Sequence, residues 1–199
     1  MHPVWREMST SSASEVSMDD DLPSAESIQS YNEDHATTAL VEIKRCENKG
    51  WGLYARKDIP KDTVVFRSRA LKVLYDDKDT ICREKHDQRN SHTVQTDWNR
   101  HVIMDLPAIL VNHSCHANVG IHENDHGAFD YLALRNIQHG EEVLWDYETS
   151  EYYIQSQFVC SCGAKNCRGF LKGFHANGRL VEELYGKEFI APYLFQRPS

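Results

Sequence analysis

The chain has 199 residues, 40% hydrophobic and 26% charged, with a net charge of −8. That length suits one domain with its own core plus a tail, and no apolar run approaches the ~20 residues needed to cross a bilayer. No basic, apolar and small-residue series marks a secretory leader. An intracellular protein, nuclear or cytoplasmic, is therefore expected, its six cysteines serving as thiols or metal ligands rather than disulfides. The acidic balance opposes a broad grip on nucleic acid; it suits a basic partner or simply a soluble surface.

Residues 1–36 are rich in Ser, Asp and Glu, from Ser9 to Ser12 and again at Asp19-Asp20-Asp21. Such a stretch buries too little surface to offset the entropy of ordering, and it predicts a mobile tail. Leu40 to Arg45 predicts a strand and Gly50-Trp51-Gly52 a tight turn. Thr63 to Phe66 and Leu71 to Tyr75 are further strands, separated from the first by the turn signal Ile59-Pro60-Lys61-Asp62. Residues 76–91 read as a polar loop or short helix. Short strands recur at His92 to Gln95, His101 to Met104, Phe129 to Leu134 and Glu142 to Tyr147. Gly178 to Tyr185 predicts a terminal helix with Leu180, Val181 and Leu184 on one face. There is no repeat. Many short strands and few helices imply an α+β, predominantly β, domain of several small sheets.

Cys160, Cys162 and Cys167 fall within one small loop, with Gly163 allowing it to turn tightly. Structural zinc takes four ligands in tetrahedral geometry and holds thiolates strongly. Three local thiols therefore call for a fourth, with Cys46, Cys82, Cys115 or a histidine as candidates.

Four stretches now stand in order: Gly50 to Ala55, Asn112 to Asn118, Gly140 to Tyr147, and Cys160 to Cys167 with Arg168-Gly169. At these separations they resemble the SET-domain protein-lysine methyltransferases, including that family's cysteine-rich post-SET segment, over roughly residues 38–172. The resemblance implies a SET (β-clip-like) fold with a C-terminal pseudoknot and a zinc-bound post-SET loop. It divides the chain into a tail (1–36), a SET domain (37–150), a post-SET zinc segment (151–175) and a C-terminal extension (176–199).

It also implies roles. S-adenosylmethionine would lie against Gly50, Trp51 and Gly52, where missing side chains let the backbone approach; Trp51 either covers it or packs beside it. Asn112 and His113 would hold its amino-acid end and adenine, an Asn amide offering both donor and acceptor. Cys115 becomes the fourth zinc ligand with Cys160, Cys162 and Cys167. Tyr147 matches the catalytic tyrosine, also beside the cofactor, and Asp146 fixes local structure. Phe158 and Leu171, with Phe170, either close over the adenine or pack under the zinc loop. Glu141-Glu142 reads as turn and surface chemistry.

Departures from the family concern the substrate channel. Upstream cysteine clusters are absent, Phe66 to Ala70 replaces the usual acidic-aromatic stretch, and Asp105 to Ala108 stands where a Gly-Asn pair is common. Tyr75 or His92 is then expected to form one wall of the lysine channel. Trp145 stands two residues before Tyr147, where the family tunes the methylation state. An indole facing the channel would narrow it and favour low methylation states; the alternative has Trp145 facing the core. The scattered histidines predict no second metal site.

The expected function is methyl transfer from S-adenosylmethionine to a lysine side chain of a protein or peptide, a histone tail among the candidates. A non-catalytic peptide-binding scaffold and a SET-fold catalyst with a small-molecule substrate are the alternatives. A monomer with no nucleic-acid or membrane partner is expected, Lys165 with Arg168 being too small a basic patch for nucleic acid.

Overall fold

The computed structural model describes residues 22–46, 49–75, 92–154 and 158–196, Tyr75 and Phe158 by their backbone only. The expectations for residues 1–21 and 76–91, including Cys82, lie outside the described residues.

Helix α1 (Ala25–Asp34) starts at Ser24, whose hydroxyl accepts the Ser27 N–H at 3.2 Å, satisfying an amide with no partner inside the helix. Ile28 enters the core at 2% exposure, and the Asn32 amide bonds both the N–H and C=O of Ile43, at 2.9 and 2.8 Å. The tail expected over 1–36 is corrected here: residues 25–34 form a docked helix. One apolar anchor and one Asn completing the edge of the sheet do what the helix's average polarity concealed.

The strands run β1 (Val41–Cys46), β2 (Gly50–Ala55), β3 (Val64–Arg67), β4 (Ala70–Tyr75), β5 (Val94–Asp97), β6 (Arg100–Met104), β7 (Asn112–His113), β8 (Val119–Glu123), β9 (Phe129–Ala133), β10 (Glu142–Trp145), β11 (Phe158–Val159) and β12 (Phe170–Leu171). The largest sheet has the order β1-β2-β10-β8-β9-β3, with β7 also paired to β10; β4-β6-β5 form a second and β11-β12 a third. This is the expected assembly of small sheets. The Gly50-Trp51-Gly52 turn is corrected: all three residues lie in β2, in register with β1 from Cys46↔Gly50 to Val41↔Ala55. Only Gly50 (φ +78°) has the left-handed backbone that a reversal needs.

β10 meets β2 through Glu142 and Val143, then runs parallel to β7 through Leu144↔Asn112 and Trp145↔His113, and touches β8 at Trp145↔Val119. The loop between β7 and β8 is sewn to β10 on both sides, Ser114 N–H donating to Trp145 C=O and Asn118 N–H to Leu144 C=O. The mid-chain motif and the Tyr147 motif thus become neighbours. Beneath them lie Phe129, Tyr131, Leu53 and Trp145, each at most 1% exposed. Strict alternation buries Phe129, Tyr131 and Ala133 along β9, and each large side chain contributes roughly 1.5–3 kcal/mol.

Helix α2 (Phe174–Tyr185) starts four residues before the expected Gly178. Its start lacks a Ser or Asp cap in sequence; the Glu148 carboxylate instead takes the N–H groups of Lys172 and Gly173, both at 2.8 Å. The expected face is also corrected, since Val181 is fully buried whereas Leu180 and Leu184 are 42% and 41% exposed. The C-terminal residues pack back on the segment after Tyr147: Ala191 N–H donates to Thr149 C=O, the Tyr193 hydroxyl to Ser150 C=O, and Trp98 rests edge-on against Tyr152 and Tyr193. Among the described residues no helix is long and apolar enough to cross a membrane.

Candidate active site and thiol cluster

Tyr147 opens a short 3-10 turn (Tyr147–Thr149) where β10 ends, with the Asp146 side chain accepting the Glu148 N–H. Its hydroxyl donates to the Val111 carbonyl at 2.9 Å and its N–H to His113 Nδ1 at 3.3 Å. Burial, reinforced by Glu142 and Glu151, raises the phenol well above its ordinary value, so it stays protonated. Burial, with Arg168 adding to it, pushes His113 down to about 3, leaving a neutral imidazole.

Asn112 sits one residue from that carbonyl. Its amide donates to Trp51 C=O at 2.9 Å and to Glu142 Oε1 at 3.0 Å. A Cβ on Gly52 would lie 3.0 Å from each of these two side chains, so the bare backbone at Gly52 is what lets β2 approach them. The Trp51 ring packs beside the core with the Arg45 guanidinium 4.2 Å from its centre. Glu142 also binds Lys49 at 3.0 Å and lies 3.7 Å from Cys46 Sγ. Its reading as surface chemistry is corrected: it belongs to this cluster. Glu141 remains in the turn, bound by Arg135, Asn118 and the Gln138 N–H.

The Sγ atoms of Cys115, Cys160, Cys162 and Cys167 all lie within 4.8 Å of one another, with Cys115 and Cys160 at 3.8 Å. Zn–S bonds near 2.3 Å at tetrahedral angles put sulfurs about 3.8 Å apart, so the four thiols fit such an ion. Cys46 is instead held beside Glu142. Around the cluster, Arg168 N–H donates to Cys115 Sγ at 3.4 Å, and Asn166 and the Tyr185 hydroxyl donate to Cys115 C=O. These contacts would orient Cys115 toward an ion in the cluster without binding the ion themselves. Burial pushes the Cys115 thiol up to about 11. Cys162 is held at about 6, because N–H donation from Ala164 and Cys115 outweighs its burial. A cation in the cluster would favour the thiolate at all four.

Of the two residues placed over the cofactor, Leu171 is 3% exposed and packs against Cys115 and Cys160. It fills the space under the thiol loop, the alternative left open for it. Phe170 is 54% exposed, across β11-β12 from Val159, and Phe158 is paired to Leu171 through its backbone.

Trp145 faces the core at 1% exposure, its indole N–H donating to Thr149 Oγ1 at 2.7 Å and its ring edge-on to Tyr131 and Tyr147. Tyr75 and His92 are separated by register. Tyr75 pairs with Arg100 at one end of β6, whereas Val94 pairs with Val102, a register that carries His92 to the level of Met104 at the other end. At ~3.3 Å per residue they stand more than about 10 Å apart along the strands.

Arg168 is the residue whose place the sequence concealed most. Its side chain is 7% exposed, with Nη2 at 2.6 Å from Asp146 Oδ1 and Nε at 3.0 Å from Glu148 Oε2. Both carboxylates are fully buried. The available signal was a charged residue on each side of Tyr147 and another directly after Cys167.

A SET-domain profile matches residues 50–148, the span from the β2 glycines to the turn at Tyr147. The chain belongs to the SET-domain family. It is 32% identical over 145 residues to the Homo sapiens histone-lysine N-methyltransferase SETD2, covering 68% of this chain and 6% of that protein. Among solved structures it superposes on the methyltransferase domain of human histone-lysine N-methyltransferase SETMAR (TM-score 0.51, 21% identity, 67% of this chain and 58% of that one). A second match is KRYPTONITE in complex with mCHH DNA, H3(1-15) peptide and SAH (TM-score 0.50, 23% identity, 66% and 29%). At those identities the two structures establish the fold. The chain spans a small fraction, 6%, of the SETD2 relative's length.

Proposed function

We propose that the chain is an S-adenosylmethionine-dependent methyltransferase acting on a lysine side chain of a protein. The observation that carries this is the convergence at one spot of the hydroxyl of the half-buried Tyr147, the Val111 carbonyl it binds and the Asn112–Trp51 link. S-adenosylmethionine, when bound, supplies the methyl group. The backbone of Gly50, Trp51 and Gly52 and the polar groups of Asn112 and His113 would hold it beside Tyr147, and Phe158 and Phe170 would contribute to its cover. Leu171 supports this lid from below.

Methyl transfer from a sulfonium is an in-line displacement, so the protein chiefly supplies alignment. Tyr147, protonated and fixed to Val111 C=O, keeps its oxygen lone pairs for the incoming amine and the methyl group. It orients and does not act as a base. A water-poor channel favours the neutral amine that must attack. Cys115, Cys160, Cys162 and Cys167 would hold zinc, which would tie the C-terminal segment to the loop after Asn112-His113. The substrate is a histone tail: SETD2 and SETMAR are histone-lysine N-methyltransferases, one matched complex holds an H3 peptide, and a chain with net charge −8 attracts a basic tail. Action in the nucleus follows from that substrate.

The test is transfer of labelled methyl from S-adenosylmethionine to histones and to whole-cell protein, with product masses measured. Labelling of a lysine that falls at least about 100-fold in Tyr147→Phe, with cofactor affinity kept, is expected. Tight cofactor binding with no transfer to any protein would refute the reading and leave a scaffold.

A further inference from the structure

Two carboxylates bracket Tyr147 in sequence, Asp146 and Glu148, and both are fully buried. A single guanidinium, Arg168, pairs with both. Burying three charges is costly and is offset only where the remaining polar atoms are also satisfied. That condition is met only in part: Asp146 Oδ1 takes the Glu148 N–H at 3.2 Å, and Glu148 Oε1 takes Lys172 N–H, Gly173 N–H and the Asn177 amide at 2.8, 2.8 and 2.9 Å, whereas Asp146 Oδ2, Arg168 Nη1 and, apart from its ion pair, Arg168 Nε make no hydrogen bond among the described residues. Apolar side chains would have filled this space at less electrostatic cost, so the arrangement is one of geometry. Removing any one of the three leaves an uncompensated buried charge, so each group holds the others in place.

Arg168 also faces the other way. It directly follows Cys167, and its N–H donates to Cys115 Sγ. The same residue therefore touches the thiol cluster through its backbone and both neighbours of Tyr147 through its side chain. We propose that Arg168 is a positioning residue for Tyr147, and that through it metal occupancy of the thiol cluster sets the alignment of the Tyr147 hydroxyl as well as the closure of the lid. This rests on the methyl-transfer reading of the site. The chemistry makes it consequential, since a misplacement of about 1 Å in an in-line reaction costs on the order of 100-fold in rate. Arg is suited to bridging two carboxylates; Lys, a compact point charge, can engage one at a time.

The experiment compares wild type with Arg168→Lys and Glu148→Gln. The glutamine keeps an amide oxygen for the Lys172 and Gly173 N–H groups and removes the ion pair, so it remains testable if the lysine variant fails to fold. Thermal unfolding, zinc content, cofactor affinity, kcat and KM for a histone peptide are measured on the folded protein. Tyrosine labelled with 13C at the ring carbon bearing the hydroxyl reports the Tyr147 environment by NMR. We expect kcat to fall on the order of 30–100-fold in both variants, with KM and cofactor Kd within about threefold and zinc retained. The Tyr147 resonance should shift in both variants, and chelation of wild type should shift it in the same direction.

A clamp that serves stability alone would lower the unfolding temperature and leave kcat per folded molecule and the Tyr147 resonance unchanged; that result overturns the proposal. So does a Tyr147 resonance indifferent to chelation. If wild type transfers no methyl group to any protein, the functional reading fails instead, and the resonance measurements still decide whether Arg168 positions Tyr147.

Discussion

Gly52→Ala isolates the contact on which cofactor binding should depend. The added Cβ would lie 3.0 Å from Asn112 Nδ2 and 3.0 Å from Glu142 Oε1, with Tyr54 Cε2 at 3.5 Å. Both polar groups must retreat by a few tenths of an ångström. Asn112 then loses alignment with the Trp51 carbonyl 2.9 Å away and with Glu142 3.0 Å away. One net hydrogen bond is worth about 1 kcal/mol, more where a charged partner is left unmatched. A total of about 1.5 kcal/mol corresponds to roughly a tenfold rise in cofactor Kd. The paired control is Gly140→Ala, at a residue with no part in the cofactor site. Nothing lies within 4 Å of a Cβ there, and the penalty comes only from φ +79°, about 1–2 kcal/mol of stability. Titration calorimetry with S-adenosylhomocysteine, beside thermal unfolding, reads both quantities. Gly52→Ala should weaken binding about tenfold while Gly140→Ala mainly lowers the unfolding temperature. A Gly52→Ala affinity within about twofold of wild type would show that the Asn112 amide does not govern the pocket.

The thiol cluster should bind one zinc per chain, and Cys115→Ser should abolish it and weaken cofactor binding, measured by metal analysis and calorimetry; unchanged affinity without zinc would separate lid from pocket. Trp145→Phe should cost about 1–3 kcal/mol, through the lost Thr149 bond and the space left in the core. It should leave the ratio of methylated products as it was, whereas a shift in that ratio would place the ring against the substrate. Glu141 is held below the usual carboxylate range: burial opposes this, but Arg135, the Gln138 N–H and Asn118 outweigh it. Its folded value lies below its unfolded one, so its contribution is complete at neutral pH and is lost as pH falls through the folded value. Glu141→Gln should therefore lower stability at pH 7 and make it less sensitive to acid, as followed by urea unfolding across pH 3–7.

Local patterns in the sequence were enough to determine the domain's character. Alternation along Phe129 to Ala133, the close spacing of Cys160, Cys162 and Cys167, and the order of the four motifs each depend on residues near one another in the chain. They pointed to small sheets, a metal-type thiol set and the family. The identity of Cys115 as fourth member of the set came from resemblance, and the four-thiol cluster agrees with it.

What the tertiary structure decided were the matters of facing and partnership. Trp145 turns inward because Tyr131 and Thr149 complete its surroundings. Glu142 and Arg168, ordinary surface charges to a reader of sequence, become members of polar clusters, Glu142 partly buried and the Arg168 side chain nearly wholly so, because strands and loops far apart in the chain close around them. A polar helix over 25–34 orders because the edge of β1 offers Asn32 a carbonyl and an N–H. Period and spacing report which residues share a face; they carry no information about the remote chain segment that face will meet. That information exists only once β10 has come to lie between β2 and the Asn112–His113 strand.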